Sequence, residues 1–176
     1  MLAAAAFIVY AVQFSDFGKG GTSTVTIEGA PPARGSPIAV RLANDVGRAS
    51  LGKRFRAVGM ATVAPFGWDH VYVFRDTTGT DMQKRLGFDW PGAPPAVPRS
   101  GEHESLIAFV DGKHVAQSAF FSDAIGRLDC LAATDGYQRG TRFVVRFTPK
   151  GREPYLTTAQ PDDAEAVCLR AVGINP

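Results

Sequence analysis

Residues 68–90, W-D-H-V-Y-V-F-R-D-T-T-G-T-D-M-Q-K-R-L-G-F-D-W, limit the possible folds more than any other part of the chain. This is the densest aromatic segment. Residues 70–75 are β-branched and aromatic, which suits a pleated, packed surface. Alternation along a strand sends Val71 and Val73 to one face and Tyr72 and Phe74 to the other. Both faces are apolar, so this strand belongs in the middle of a sheet, covered on both sides. Thr77, Thr78 and Gly79 end it. Thr80 followed by Gln83 fits a capping box, in which each side chain reaches the other's backbone N–H. Asp81 falls in the first helical turn, where the helix dipole favours a negative charge. Gly87 is placed to stop the helix in the left-handed conformation, with Phe88 folding back on Met82. Every one of these signals concerns folding, and none is catalytic.

The flanking sequence supplies the remaining elements. Ser36-Pro37 opens a helix over residues 37–50, with Ser as N-cap and Pro at the first helical position. Ile38, Leu42, Val46 and Ala49 recur at helical spacing and define its inner face. Residues 54–63 read as a strand. Residues 105–110 and 113–121, joined by Asp111-Gly112, read as a hairpin with a type I′ turn. Residues 141–148 alternate, with Phe143, Val145 and Phe147 inward and Arg142, Val144 and Arg146 outward. Residues 155–159 can pair back on them. Asp162, Asp163 and Glu165 start a last helix that carries Cys168 and ends before Gly173. The expected fold is α+β: an antiparallel sheet of about four to six strands with helices packed on one face. A chain of 176 residues suffices for one such domain, placed at residues 36–176.

Residues 2–14, L-A-A-A-A-F-I-V-Y-A-V-Q-F, form an apolar run. As a helix it spans roughly 20 Å at 1.5 Å per residue, short of the about 20 residues that a bilayer core needs. Three readings stay open. It is the remnant of a membrane anchor or signal whose start lies upstream, a buried helix of the domain, or a free hydrophobic tail. The abrupt change at Ser15 favours the first, and residues 15–35 then serve as linker and loop. A short strand is expected at 24–28. The linker's G-K-G-G-T-S lacks phosphate-loop spacing, which needs Lys directly before Ser or Thr.

The formal charge of +2 is too small to imply a nucleic-acid partner. Arg139, Arg142 and Arg146, with Tyr137 able to stack on a base, offer a weak nucleic-acid surface; a solvated strand face is the plainer account. His70, His103 and His114 show no metal-ligand spacing. There is no G-x-S-x-G, and neither cysteine lies in a catalytic signature. No catalytic, metal or cofactor residues are assigned. Trp68 and Trp90, with Arg142 and Arg146, are the candidate binding surface, although core packing is the commoner fate of such tryptophans.

Trp68, Asp69, Val71 to Phe74, Leu86, Gly87, Phe88, Trp90 and the aliphatic hairpin 106–115 together resemble a group of small bacterial exported proteins and lipoproteins of unassigned function. Their shared pattern is W-D-x-V-Y-V-F, a turn, a short helix, L-G-F-x-W and a hairpin with an N-G or D-G turn. The resemblance implies an extracytoplasmic, membrane-tethered domain and carries over no catalytic residues. The expected function is thus a non-catalytic binding or adaptor module of a bacterial envelope. Residues 2–14 tether it to the membrane, and an envelope protein or small ligand is its partner. An envelope hydrolase with a carboxylate and His70 or His114 is the alternative, and nucleic-acid binding through the basic strand comes after it. In an exported chain the only two cysteines, Cys130 and Cys168, are expected to form a disulfide. Two separate buried thiols are the competing account.

Overall fold

The computed structural model describes residues 35–51, 57–97, 104–150 and 153–176. The apolar run 2–14, the linker, the expected strand at 24–28 and His103 lie outside the described residues. In chain order the elements are α1 (Pro37–Leu51), β1 (Ala57–Val58), α2 (Met60–Val63), β2 (His70–Phe74), α3 (Gly79–Leu86), β3 (Glu104–Asp111) and β4 (His114–Ser122), followed by a 3₁₀ turn (Asp129–Ala133) and then β5 (Tyr137–Gln138), β6 (Phe143–Phe147), β7 (Pro154–Thr158) and α4 (Asp163–Ala171). The class is α+β. Among the described residues the strands fall into two antiparallel sheets, one of four in the order β4-β3-β2-β5 and one of three in the order β1-β6-β7.

Strand β2 is internal, paired antiparallel with β3 and β5, as its two apolar faces require. Val71 and Val73 enter the main core with Ile107, Phe109, Ala119 and Phe121, closed by Leu42 and Val46 of α1 and by Phe143, Val145 and Leu156 of the second sheet. Phe74 enters a second cluster with Leu106, Ala108 and Val110, covered by Met82 and Leu86 of α3 and by Trp90. The helices therefore divide between the two faces of the four-stranded sheet. A single helical layer would leave the Phe74 side in water, and a buried Phe is worth roughly 1.5–3 kcal/mol over an exposed one.

Local chemistry sets the boundaries. The Ser36 hydroxyl accepts the Ala39 N–H at 3.3 Å and caps α1. The cap of α3 is Thr78, not Thr80: its hydroxyl accepts the Asp81 N–H at 3.2 Å and donates to the Asp81 carboxylate at 2.7 Å. Gly87, at φ 77°, ends α3 in the left-handed region, its N–H donating to the Gln83 carbonyl. The turn between β3 and β4 is Gly112-Lys113, one residue later than expected, since Asp111 pairs with His114. Gly112 has φ 60°, and Lys113 is not among the residues with positive φ. Glycine at the first central position alone is the type II′ pattern rather than I′. A bulge at Ala116 shifts the register between Phe109 and Val110.

Residues 57–63 are not one strand. Two residues pair with β6, and Met60–Val63 then coil into a helical turn. Met60 and Val63 are both buried. Three positions apart, they share a face of a helix and would have opposed each other on a strand. Burial outweighs the β-branched local preference here.

Three side-chain expectations need correction. Phe147 is only partly buried, at the edge of the main core. Tyr72 is likewise half-buried, and its ring stacks on Phe74 at 6.1 Å. Arg146 is half-buried rather than exposed, because its Nε donates to the Thr157 hydroxyl at 3.3 Å and its Nη1 to the Asn175 carbonyl at 3.1 Å.

Cys130, in the 3₁₀ turn, and Cys168, in α4, form a disulfide with Cα atoms 5.3 Å apart. The bridge lies in a third cluster with Tyr155, Leu169 and Ile174. Among the described residues no helix is long and apolar enough to cross a membrane.

Candidate functional site: a polar cleft between the sheet edges

Strand β5 is one outer strand of the four-stranded sheet and β7 one outer strand of the other. Between them, closed at one end by the start of α4, lies a cleft of about 700 Å³. That volume is in the usual range for small-molecule sites.

The floor of the cleft is a hydrogen-bond array built on the start of α4. Asp162 is the N-cap of α4, one oxygen accepting the Glu165 N–H at 2.8 Å and the other the Thr134 hydroxyl at 3.0 Å. Glu165 does not turn back to the cap residue as in a capping box. It crosses to β7, where its two oxygens accept the Thr158 N–H at 2.6 Å and the Thr158 hydroxyl at 2.7 Å. Burial raises the Glu165 carboxyl above its ordinary pKa, against the Thr158 hydrogen bonds that lower it. Tyr137, from β5, is buried and donates to the Leu131 carbonyl at 3.3 Å. Burial likewise pushes its hydroxyl well above the ordinary phenol value.

The rim differs. Arg142 is exposed beside the cleft and, among the described residues, its guanidinium has no hydrogen-bond or ion-pair partner. Gln138, Gln160 and Thr141 also line the opening with side chains that have no partner among the described residues. Among the described residues the cleft thus joins a free cation at Arg142, an exposed carboxylate at Asp162, a buried carboxyl at Glu165 and several free amide and hydroxyl groups. Such a set can bind and orient a polar molecule.

Of the candidate binding-surface residues Trp68, Trp90, Arg142 and Arg146, only Arg142 lies at this site. Trp68 and Trp90 are buried and form no binding surface. Trp68 donates its Nε1–H to the Ala64 carbonyl at 3.0 Å and packs edge-on against Phe109. Trp90 closes the cluster under α3, its Nε1–H without a partner among the described residues. The arginines are engaged in different ways. Arg139 lies over the Trp68 ring, 5.2 Å from its centroid, and donates to the Phe66 and Trp68 carbonyls. Arg146 is tied to Thr157 and Asn175, and Tyr137 is too buried to stack on a base.

The histidines give a further correction. Neighbours along a strand face opposite ways, yet Asp69 precedes the strand, so alternation does not hold Asp69 and His70 apart. Its Oδ1 meets the His70 Nδ1 at 3.0 Å, and its Oδ2 accepts the Gly112 N–H at 3.1 Å. Burial, the largest single influence, raises the Asp69 carboxyl, but the hydrogen bonds to His70 and Gly112 and the nearby imidazole together outweigh it and leave the group below the usual carboxylate range. No described hydroxyl or thiol hydrogen-bonds to His70. His114 sits at the hairpin end opposite Asp111. Among the described residues no group of three or more His, Cys, Asp or Glu side chains is placed to hold a metal ion.

A separate charged cluster ties the fold together. Arg75 Nη1 donates to Asp123 at 2.6 Å and to Asp129 at 2.8 Å. Asp129 also accepts from Arg127, which lies over the Tyr155 ring. This cluster anchors the 3₁₀ turn that carries Cys130.

Comparison with models of known protein families, with curated proteins and with solved structures finds no match.

Proposed function

We propose that this chain is a membrane-tethered extracytoplasmic binding or adaptor domain of a bacterial envelope, tethered through residues 2–14 and non-catalytic in itself. The observation that carries this reading is the Cys130–Cys168 disulfide. Protein disulfides persist in oxidising compartments outside the cytoplasm. The apolar run 2–14 and the resemblance of residues 68–115 to small exported bacterial proteins agree with that location. The polar cleft supports a binding role, because its rim carries free donors and acceptors and the exposed Asp162 keeps lone pairs, while the buried Glu165 is engaged in holding the fold.

Cell fractionation with protease accessibility tests the location. The full chain should sediment with membranes, residues 15–176 should be soluble, and the domain should be digested in spheroplasts but not in intact cells. A wholly soluble full chain, or a domain protected in spheroplasts, overturns the reading. Crosslinking from a photoreactive residue placed at Gln160 tests the binding role. A defined adduct that disappears in Arg142→Ala supports it, and labelling no different from that of a site on the far face of α1 contradicts it.

A further inference from the structure

We infer that the cleft between β5, β7 and α4 takes a small zwitterion of the amino-acid or dipeptide type, its carboxylate on Arg142 and its ammonium on Asp162. The inference rests on the binding-domain reading above and assigns the ligand's chemistry.

The charges around the cleft carry the argument. Arg142 is the cation of the lining and has no partner among the described residues. A planar guanidinium fork matches a carboxylate bidentately. A simple anion would nevertheless meet two acids, Asp162 and Glu165, in the same lining. A simple cation would meet Arg142. A ligand with both charges satisfies the set. Of the two acids, Glu165 is buried with each oxygen already accepting from Thr158. Asp162 is exposed and accepts one hydrogen bond per oxygen, so lone pairs remain on it for an ammonium. Gln138, Thr141 and Gln160 stand at the rim to take the amide or side chain of such a ligand. The volume of about 700 Å³ leaves room for one or two residues.

The test uses the full chain, oxidised, in mild detergent, followed by amide chemical shifts. The probes are alanine and alanyl-alanine, each with its N-acetyl and carboxamide derivative. Saturable shifts are expected at Thr134, Gln138, Thr141, Thr158 and Gln160 with the zwitterions. Either derivative should bind at least about tenfold more weakly, a difference of 1.4 kcal/mol. Arg142→Ala should erase the preference for free acid over carboxamide. Asp162→Asn, which keeps an N-cap side chain, should erase the preference for amine over N-acetyl. A general loss of structure would weaken all probes alike and would not separate the two preferences. Equal binding of zwitterion and derivatives overturns the inference and leaves the binding domain standing. Absence of saturable shifts with both zwitterions also overturns it, while the crosslink at Gln160 reports on the binding domain separately.

Discussion

Thr158 gives both of its donors to the one carboxyl group of Glu165, its N–H to Oε1 at 2.6 Å and its hydroxyl to Oε2 at 2.7 Å. The pairing fastens the first turn of α4 to the outer edge of β7. It also places a carboxyl in a buried site, which raises its pKa above the ordinary 4.5. A raised native pKa means that the native state holds more protons than the unfolded chain. The stability tied to Glu165 is then complete below about pH 4.5 and is lost as pH rises through the native value. Glu165→Gln carries no titrating group, so its urea midpoint should fall less than the parent's as pH rises through that window. Identical pH profiles for parent and variant would contradict the assignment.

The disulfide closes a loop with a sequence separation of 38. In the chain-entropy model such a loop removes roughly 4 kcal/mol of unfolded-state entropy. Cys130→Ser with Cys168→Ser should therefore lower unfolding free energy by about that amount, a large share of a typical 5–15 kcal/mol. Thiol titration in denaturant without reductant should find no free thiol. Because α4 carries Glu165 and is capped by Asp162, reduction should also weaken binding of any ligand held in the cleft.

Phe143 is fully buried between Val58 of β1 and Thr158 of β7, its two pairing partners. Phe143→Ala should cost about 3–5 kcal/mol. Arg146→Ala, which the strand alternation alone would rate as neutral, should cost about 1 kcal/mol, since it removes hydrogen bonds to Thr157 and Asn175. Chemical denaturation at pH 7 compares them directly, and a near-zero effect of Arg146→Ala would place that side chain in solvent.

Arg75 is the shared partner of Asp123 and Asp129, whose side chains are 6% and 18% exposed. Arg75→Met leaves both carboxylates without it and should cost about 3 kcal/mol. Adding Asp123→Asn to that variant should cost less than the sum of the two single changes, a coupling of about 0.5–3 kcal/mol. Simple additivity would mean that the cluster does not act as a unit.

The sequence resolved what depends on local pattern. The two apolar faces of residues 71–74, the helix from Pro37, the hairpin, the pairing of β6 with β7 and the cysteine pair were all legible. What depends on distant partners was not. Met60 and Val63 left the strand because the core accepts them on one helical face. Core packing was the commoner expectation for Trp68 and Trp90, and both are buried; their partners, Phe109 and α3, are what the neighbours along the chain did not announce. The cleft escaped for a similar reason. Asp162 and Glu165 read as an ordinary helix start, and they are one; only the approach of β5 and β7 turns that helix start into the end wall of a cavity. The D-x-x-E spacing was the available signal, but the partner of Glu165, Thr158, lies on a strand and not at the cap.

The chain lays down β1, leaves to build all four strands of the larger sheet, and returns to place β6 and β7 beside it. The larger sheet is therefore continuous in sequence, and its longest ladder is a hairpin that closes across two residues. The smaller sheet is interrupted, and β1 can dock only after its partner strand has been brought back from the far side of that excursion. Contacts of short separation form first because their loops close at least entropic cost. The order of assembly follows: the β3–β4 hairpin and β2 first, then β6 with β7, and β1 last. The two-residue pairing of Ala57 and Val58 with β6 thus spans the longest sequence separation in the smaller sheet and is expected to form last and to open first.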